Sequence, residues 1–137
     1  MICECGTSSG ADWGTDGWIV MDPGNTRQLT GLLKVRATGG RPESVPLAEG
    51  TFSSQGWAFA APQILPDGKS VLVSLFGGGS PRIVAISLLT GAKTEIQDQA
   101  FMGRYVDPGY LLYTTPNELW AVRFDPRRLR ASGQPVR

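Results

Sequence analysis

Hydrophobic and polar positions along this chain fall into short blocks, and glycine or proline cuts them so often that the longest uninterrupted stretch is Ala92 to Met102. Blocks of that length leave no room for long helices. Within them residues alternate or run apolar, with β-branched and aromatic side chains enriched, as in Trp18-Ile19-Val20-Met21, Val71-Leu72-Val73-Ser74-Leu75-Phe76, Ile83-Val84-Ala85-Ile86 and Leu111-Leu112-Tyr113. Such side chains fit a pleated, half-buried surface, so the pattern predicts strands.

A strand, tight turn, strand signature recurs three times: around Ile64-Leu65-Pro66-Asp67-Gly68-Lys69-Ser70-Val71, over Trp13–Val20 and over Tyr105–Tyr113. The turn glycines are Gly17, Gly68 and Gly109, 51 and 41 residues apart, close to the length of a four-stranded propeller blade. Each unit reads as four strands. In the middle unit they cover Pro62–Leu65, Ser70–Phe76, Arg82–Leu88 and Ala92–Gln97; in the first, Ala11–Trp13, Trp18–Met21, Leu32–Ala37 and Glu43–Leu47; in the third, Gly103–Val106, Tyr110–Thr114, Glu118–Phe124 and Ala131–Val136. The joins of the middle unit, at Pro66–Lys69, Gly77–Pro81 and Leu89–Gly91, all contain glycine, which supplies the positive φ of tight hairpin turns. One segment supports two readings. Ala92, Ile96 and Ala100 have helical spacing, which admits a short helix over Thr94–Met102, whereas the repeat register asks for a strand.

The Pro66-Asp67-Gly68-Lys69 turn, the Leu88-Leu89-Thr90-Gly91 turn and the segment Tyr105-Val106-Asp107-Pro108-Gly109-Tyr110-Leu111-Leu112-Tyr113 resemble the WD-like repeats of TolB and related bacterial β-propeller proteins. The likeness runs from about Gly10 to Val136. With Gly10-Ala11-Asp12-Trp13-Gly14 and Leu119–Asp125 included, it is greatest to propellers appended to bacterial serine/threonine kinases, although no kinase motif is present. The resemblance implies an all-β fold of four-stranded antiparallel blades, usually six to a ring, presenting a surface to a protein or a small ligand. No catalytic residue of the family maps onto this chain, and three units stand where about six are expected. The predicted organisation is an N-terminal extension over 1–9 and a propeller-repeat domain over 10–137, with blades at about 10–49, 57–100 and 101–137.

Composition narrows the chemistry. The 137 residues carry 13 basic and 12 acidic side chains, without the basic stripe that phosphate contacts require, so nucleic acid is not an expected partner. Arg127, Arg128 and Arg130 read as a solvated loop. With no histidine, a Ser-His-Asp or Cys-His arrangement and a His-ligated metal centre are excluded. Cys3 and Cys5 are too close for an easy disulfide, lack further ligands for zinc, and read as part of a frayed N-terminus. Carboxylate chemistry, as in a carboxylate- or metal-dependent propeller hydrolase, survives only as a remote reading, because no calcium-loop spacing is present. Asp16 and Asp67 are expected to bind backbone donors within their own turns. Gly77-Gly78-Gly79-Ser80 lacks the Gly-Lys-Ser/Thr and the helix of a phosphate loop; it reads as a hairpin tip. No cofactor is expected. No apolar run reaches membrane-spanning length and no signal peptide is visible, which predicts a cytoplasmic protein with no membrane partner, or a periplasmic or extracytoplasmic one if the chain is part of a longer protein.

The candidate binding residues are aromatic. Trp13, Trp18, Trp57 and Trp120, with Tyr105, Tyr110 and Tyr113, form the aromatic set from which a binding face could be built, since aromatics combine contact area with a polar handle; Trp18, Trp57 and Tyr110 are the candidates taken from it, while Trp13 and Trp120, within repeat strands, are expected to fill the wedges between blades. Two functions follow. The first is a non-catalytic interaction scaffold for a protein partner, and the second a carbohydrate- or small-ligand-binding module. Three blades leave terminal faces uncovered, with Ile19, Leu32, Leu111, Leu119 and Val122 each lacking a neighbour, so the chain is expected to pair with itself as a homodimer that completes a six-bladed ring.

Overall fold

The computed structural model describes residues 1–4, 8, 10–24, 31–48 and 57–137. Among these residues, twelve strands form three four-stranded antiparallel sheets in chain order, each a meander. Sheet one comprises β1 (Ala11–Trp13), β2 (Trp18–Met21), β3 (Leu33–Arg36) and β4 (Glu43–Ser44). Sheet two holds β5 (Ala58–Ile64), β6 (Ser70–Phe76), β7 (Arg82–Ser87) and β8 (Lys93–Asp98), and sheet three β9 (Phe101–Val106), β10 (Tyr110–Thr114), β11 (Leu119–Asp125) and β12 (Arg130–Val136). The chain is all-β, and the sheets stack face to face in an open, propeller-like arrangement. Among the described residues there is no helix, hence none long and apolar enough to cross a membrane. Cys5 and the Gly/Ser-rich connector before Trp57 lie outside the described residues.

The middle sheet is apolar on both faces because both are covered. On β6, Val71, Val73 and Leu75 join Val84 and Ile86 of β7 against Val20, Leu32 and Val45 of the first unit. The alternate positions, Leu72 and Ile83, pack with Leu111, Tyr113, Val122 and Phe124 of sheet three. This is the period-2 alternation of a strand buried on both sides. Each of these aliphatic side chains, at or near zero exposure, contributes about 1.5–3 kcal/mol of burial. Leu32, Leu111 and Val122, expected to lack a neighbour, are buried against the middle sheet. Leu119, on the outward face of sheet three, is 60% exposed.

Residues 93–98 are extended and pair with β7, and the chain re-enters sheet three at Phe101. The strand reading of that segment holds over the helical one, because pairing along β7 satisfies the backbone and the third turn already directs the chain into a hairpin. Strand β5 begins earlier than the sequence suggests, running through Pro62 by a bulge at Ala61 (φ 51°). Met102 makes the matching bulge in β9 at the same φ; Ala61 and Met102 each stand seven residues before their turn glycine. Both strands lie at a sheet edge, where a missing ladder donor is tolerated.

Candidate functional site

The edge strands β1, β5 and β9 carry a repeated polar latch between sheets. Asp12 and Gln63 each stand five residues before their turn glycines. The Ile64 N–H of sheet two donates to Asp12 Oδ2 at 2.7 Å. The Tyr105 N–H of sheet three donates to Gln63 Oε1 at 2.7 Å, and Gln63 Nε2 returns a bond to the Tyr105 carbonyl at 3.0 Å. Each latch thus satisfies an outward-facing backbone group of an edge strand with a side chain from the preceding sheet. Beside it, the receiving residue wedges backwards: Ile64 packs into the first interface and Tyr105 into the second. Tyr105 also meets Phe124 edge-on at 6.2 Å and donates its hydroxyl to Asp107 at 2.9 Å. That bond, with burial second, raises its pKa.

In the first sheet the residue equivalent to Ile64 and Tyr105 is Trp13, and the expectation that Trp13 fills a wedge is corrected: it is 65% exposed. Strand alternation explains this. Asp12 faces sheet two, so Trp13 faces the opposite side, where the described residues form no preceding sheet. Farther along that face, Met21, Leu33 and Val35 are covered, with Cys3 of the N-terminal segment packed against them. The Gly40 N–H donates to the Ile2 carbonyl at 3.3 Å beside them. Trp120 matches its expected role and packs against the core between sheets two and three.

The three candidate binding aromatics do not converge. Trp18 lies in the groove between sheets one and two, with Arg36 4.0 Å and Lys34 4.7 Å from its ring centroid. Trp57 is half-buried at the opposite end of sheet two beneath Arg82, 5.3 Å away. Tyr110 sits on the outward face of sheet three with Arg123 at 5.6 Å. Each is half-buried under a cation that masks its face, so they are three separate patches. The acidic turns behave as expected: Asp16 accepts from the Trp18 N–H at 3.2 Å and Asp67 from the Lys69 N–H at 3.0 Å. Asp125 likewise accepts from Arg127 and Arg128 backbone N–H groups, which leaves Arg127, Arg128 and Arg130 at the surface around the β11–β12 turn.

Sequence reasoning did not find a cleft that the fold builds from residues distant in the chain. Between the ends of sheets two and three lies a cleft of about 640 Å³, walled by Phe101, Tyr113 and Trp120 and edged by Gln97, Asp98 and Gln134. Tyr113 and Trp120 are direct cross-strand partners, and Phe101 stacks on Phe76 at 5.8 Å. Tyr113 is 5% exposed, and burial pushes its pKa up. The indole N–H of Trp120 is fully shielded without a hydrogen-bond partner. Register brings these residues together, and in the sequence two of them are recognisable only as members of a general aromatic set.

Among the described residues no group of three or more His, Cys, Asp or Glu is placed to hold a metal ion. What the fold and sites define is an all-β chain of three stacked four-stranded sheets with an inter-sheet latch and a side cleft. Compared with known proteins, it matches no family model and no curated protein.

Proposed function

We propose that this chain is a non-catalytic interaction scaffold of TolB-like, WD-like propeller blades, and that its partner at the open ends is a second copy, the two closing a six-bladed ring. The observation that carries the reading is the unfinished latch. Arg104 stands five residues before Gly109, the place that Asp12 and Gln63 occupy before their glycines. Its side chain is exposed and, among the described residues, has no hydrogen-bond or ion-pair partner. On the outward face of sheet three, Leu119 and Val136 are 60% and 61% exposed, with Tyr110, Leu112 and Ala121 half-buried beside them. At the other end of the chain stands Trp13, the receiving residue without a latch. An arginine only donates, so Arg104 is suited to the Trp13 carbonyl of another copy, as Gln63 Nε2 is to Tyr105. Head-to-tail contact made twice closes on itself around a two-fold axis. The absence of histidine from the whole sequence supports the non-catalytic half of the reading.

The test is light scattering at micromolar concentration, with a uniform mass near twice 14.7 kDa expected. Leu119→Lys with Val136→Lys should give monomers of unchanged far-ultraviolet circular dichroism. A monodisperse wild-type monomer refutes ring closure, and open-ended association refutes pairing by two. A second reading, the small-ligand module, is favoured by the cleft between sheets two and three.

A further inference from the structure

The cleft is independent of the open faces, since it lies between two sheets of the same chain. Its walls and its rim differ in chemistry. Three aromatic rings give it an apolar wall; the rim is amide and carboxamide rather than charge, with Asp98 the one charged side chain lining it among the described residues. An amide side chain both donates and accepts, as a hydroxyl does. A purely apolar occupant would leave Gln97 and Gln134 unpaired, and an anionic one would meet Asp98. The polar atoms of the wall also lack partners. Among the described residues the Tyr113 hydroxyl makes no hydrogen bond, although its ring is almost wholly buried, and the Trp120 indole N–H makes none either. A shielded donor without a partner, such as this indole N–H, is unusual. The volume, about 640 Å³, falls within the roughly 300–1,000 Å³ of small-molecule sites.

We propose that this cleft binds a neutral, hydroxyl-rich ligand of saccharide type, with Tyr113 and Trp120 as its aromatic wall and Gln97 and Gln134 as its hydrogen-bonding rim. The C–H face of a sugar ring is weakly positive and suits the negative face of an aromatic ring. Its hydroxyls meet the glutamine amides and the Tyr113 hydroxyl in either direction. Gln97 is already oriented for this contact, because its Nε2 donates to the Asp98 carbonyl at 3.4 Å, which leaves the side-chain oxygen to accept. Trp120 is held from behind by Arg137, 5.2 Å from the ring centroid and itself bonded to Glu118 at 2.9 Å.

The experiment is a titration of the full chain with glucose, galactose, N-acetylglucosamine and their disaccharides, read by the nitrogen-15 side-chain resonance of Trp120, which Trp120→Phe assigns. A saturable shift with at least one neutral saccharide is expected. Tyr113→Phe and Gln134→Ala keep the ring and the exposed strand intact, and each should weaken binding roughly five- to tenfold, the loss of one net hydrogen bond. Trp57→Phe should leave it unchanged. The proposal is overturned if no saccharide moves the Trp120 resonance, if the shift survives both substitutions, or if only a neutral peptide produces it.

Discussion

Replacing Gly91 by alanine probes how the first and second sheets are joined. Gly91 closes the β7–β8 turn at φ +73°, and its carbonyl accepts the Ala48 N–H at 3.1 Å. A Cβ at this position would lie 2.5 Å from the Pro46 carbonyl oxygen and 2.6 Å from the Leu47 Cα. The left-handed backbone alone costs a non-glycine residue about 1–2 kcal/mol. The overlap is with main chain, which cannot rotate away, and adds about 1–3 kcal/mol. Gly68 supplies the control: it has φ +67° and nothing within 4 Å of the place a Cβ would take, so Gly68→Ala carries only the conformational part. Urea unfolding should therefore place Gly91→Ala about 2–5 kcal/mol below wild type and Gly68→Ala about 1–2 kcal/mol below. With a slope of about 1–3 kcal/mol per molar urea, the midpoints are well separated. If the two variants lose the same stability, the tail of sheet one does not pack on this turn and the stacking of the first two sheets is wrong.

Gly103→Ala should cost about 1–3 kcal/mol by crowding, because a Cβ there would come 2.7 Å from Ile83 Cδ1 across the second interface; Gly103→Ala with Ile83→Val should recover part of the loss in the same urea assay. Alkaline pH should destabilise the fold. Tyr105 and Tyr113 have pKa values raised above 10.0, so the folded state holds its phenolic protons more tightly than the unfolded chain. Their contribution is fully present below pH 10 and is lost as pH rises through the raised folded values. Urea midpoints measured from pH 8 upward should be flat at first and then fall, and Tyr113→Phe should flatten the fall.

Much of the architecture is legible in the sequence because each unit repeats the same local instructions. The turn glycines, the Asp16 and Asp67 side chains that bind their own backbones, and the alternation along β6 all speak through near neighbours, where sequence is direct. Trp13 misleads for the opposite reason. Its position in the repeat is that of a wedge residue, and nothing local reveals that among the described residues its wedge has no second wall. The cleft is illegible on similar grounds: Gln97, Tyr113, Trp120 and Gln134 come from four strands of two sheets, and only register and stacking set them side by side. Strand β5 reads too short in the sequence because proline ordinarily ends a strand, while the bulge at Ala61 and an edge position let it continue through Pro62.

Three residues at one repeat position, Asp12, Gln63 and Arg104, should fail in different ways, and the difference separates a latch within the chain from a latch between copies. Gln63 bonds the Tyr105 backbone in both directions across a half-buried interface. Gln63→Ala leaves that N–H and carbonyl without the partner, which costs about 1–2 kcal/mol, the lower part of the range for a buried orphan. The melting temperature should fall by about 4–8 °C for a chain of this size while the mass in solution stays the same. Asp12→Ala should behave alike, since its carboxylate holds the Ile64 N–H. Arg104 holds nothing among the described residues of its own chain. Arg104→Ala should therefore leave the unfolding of the monomer unchanged, yet weaken association. A bond to an exposed charged donor is worth about 1 kcal/mol, or about fivefold, and a two-fold ring makes the contact twice, so the dimer constant should change about 25-fold. Sedimentation at several concentrations reads that factor directly. An Arg104→Ala chain that associates as wild type does would remove the latch from the interface, and one that instead unfolds more easily would assign Arg104 to the stability of sheet three.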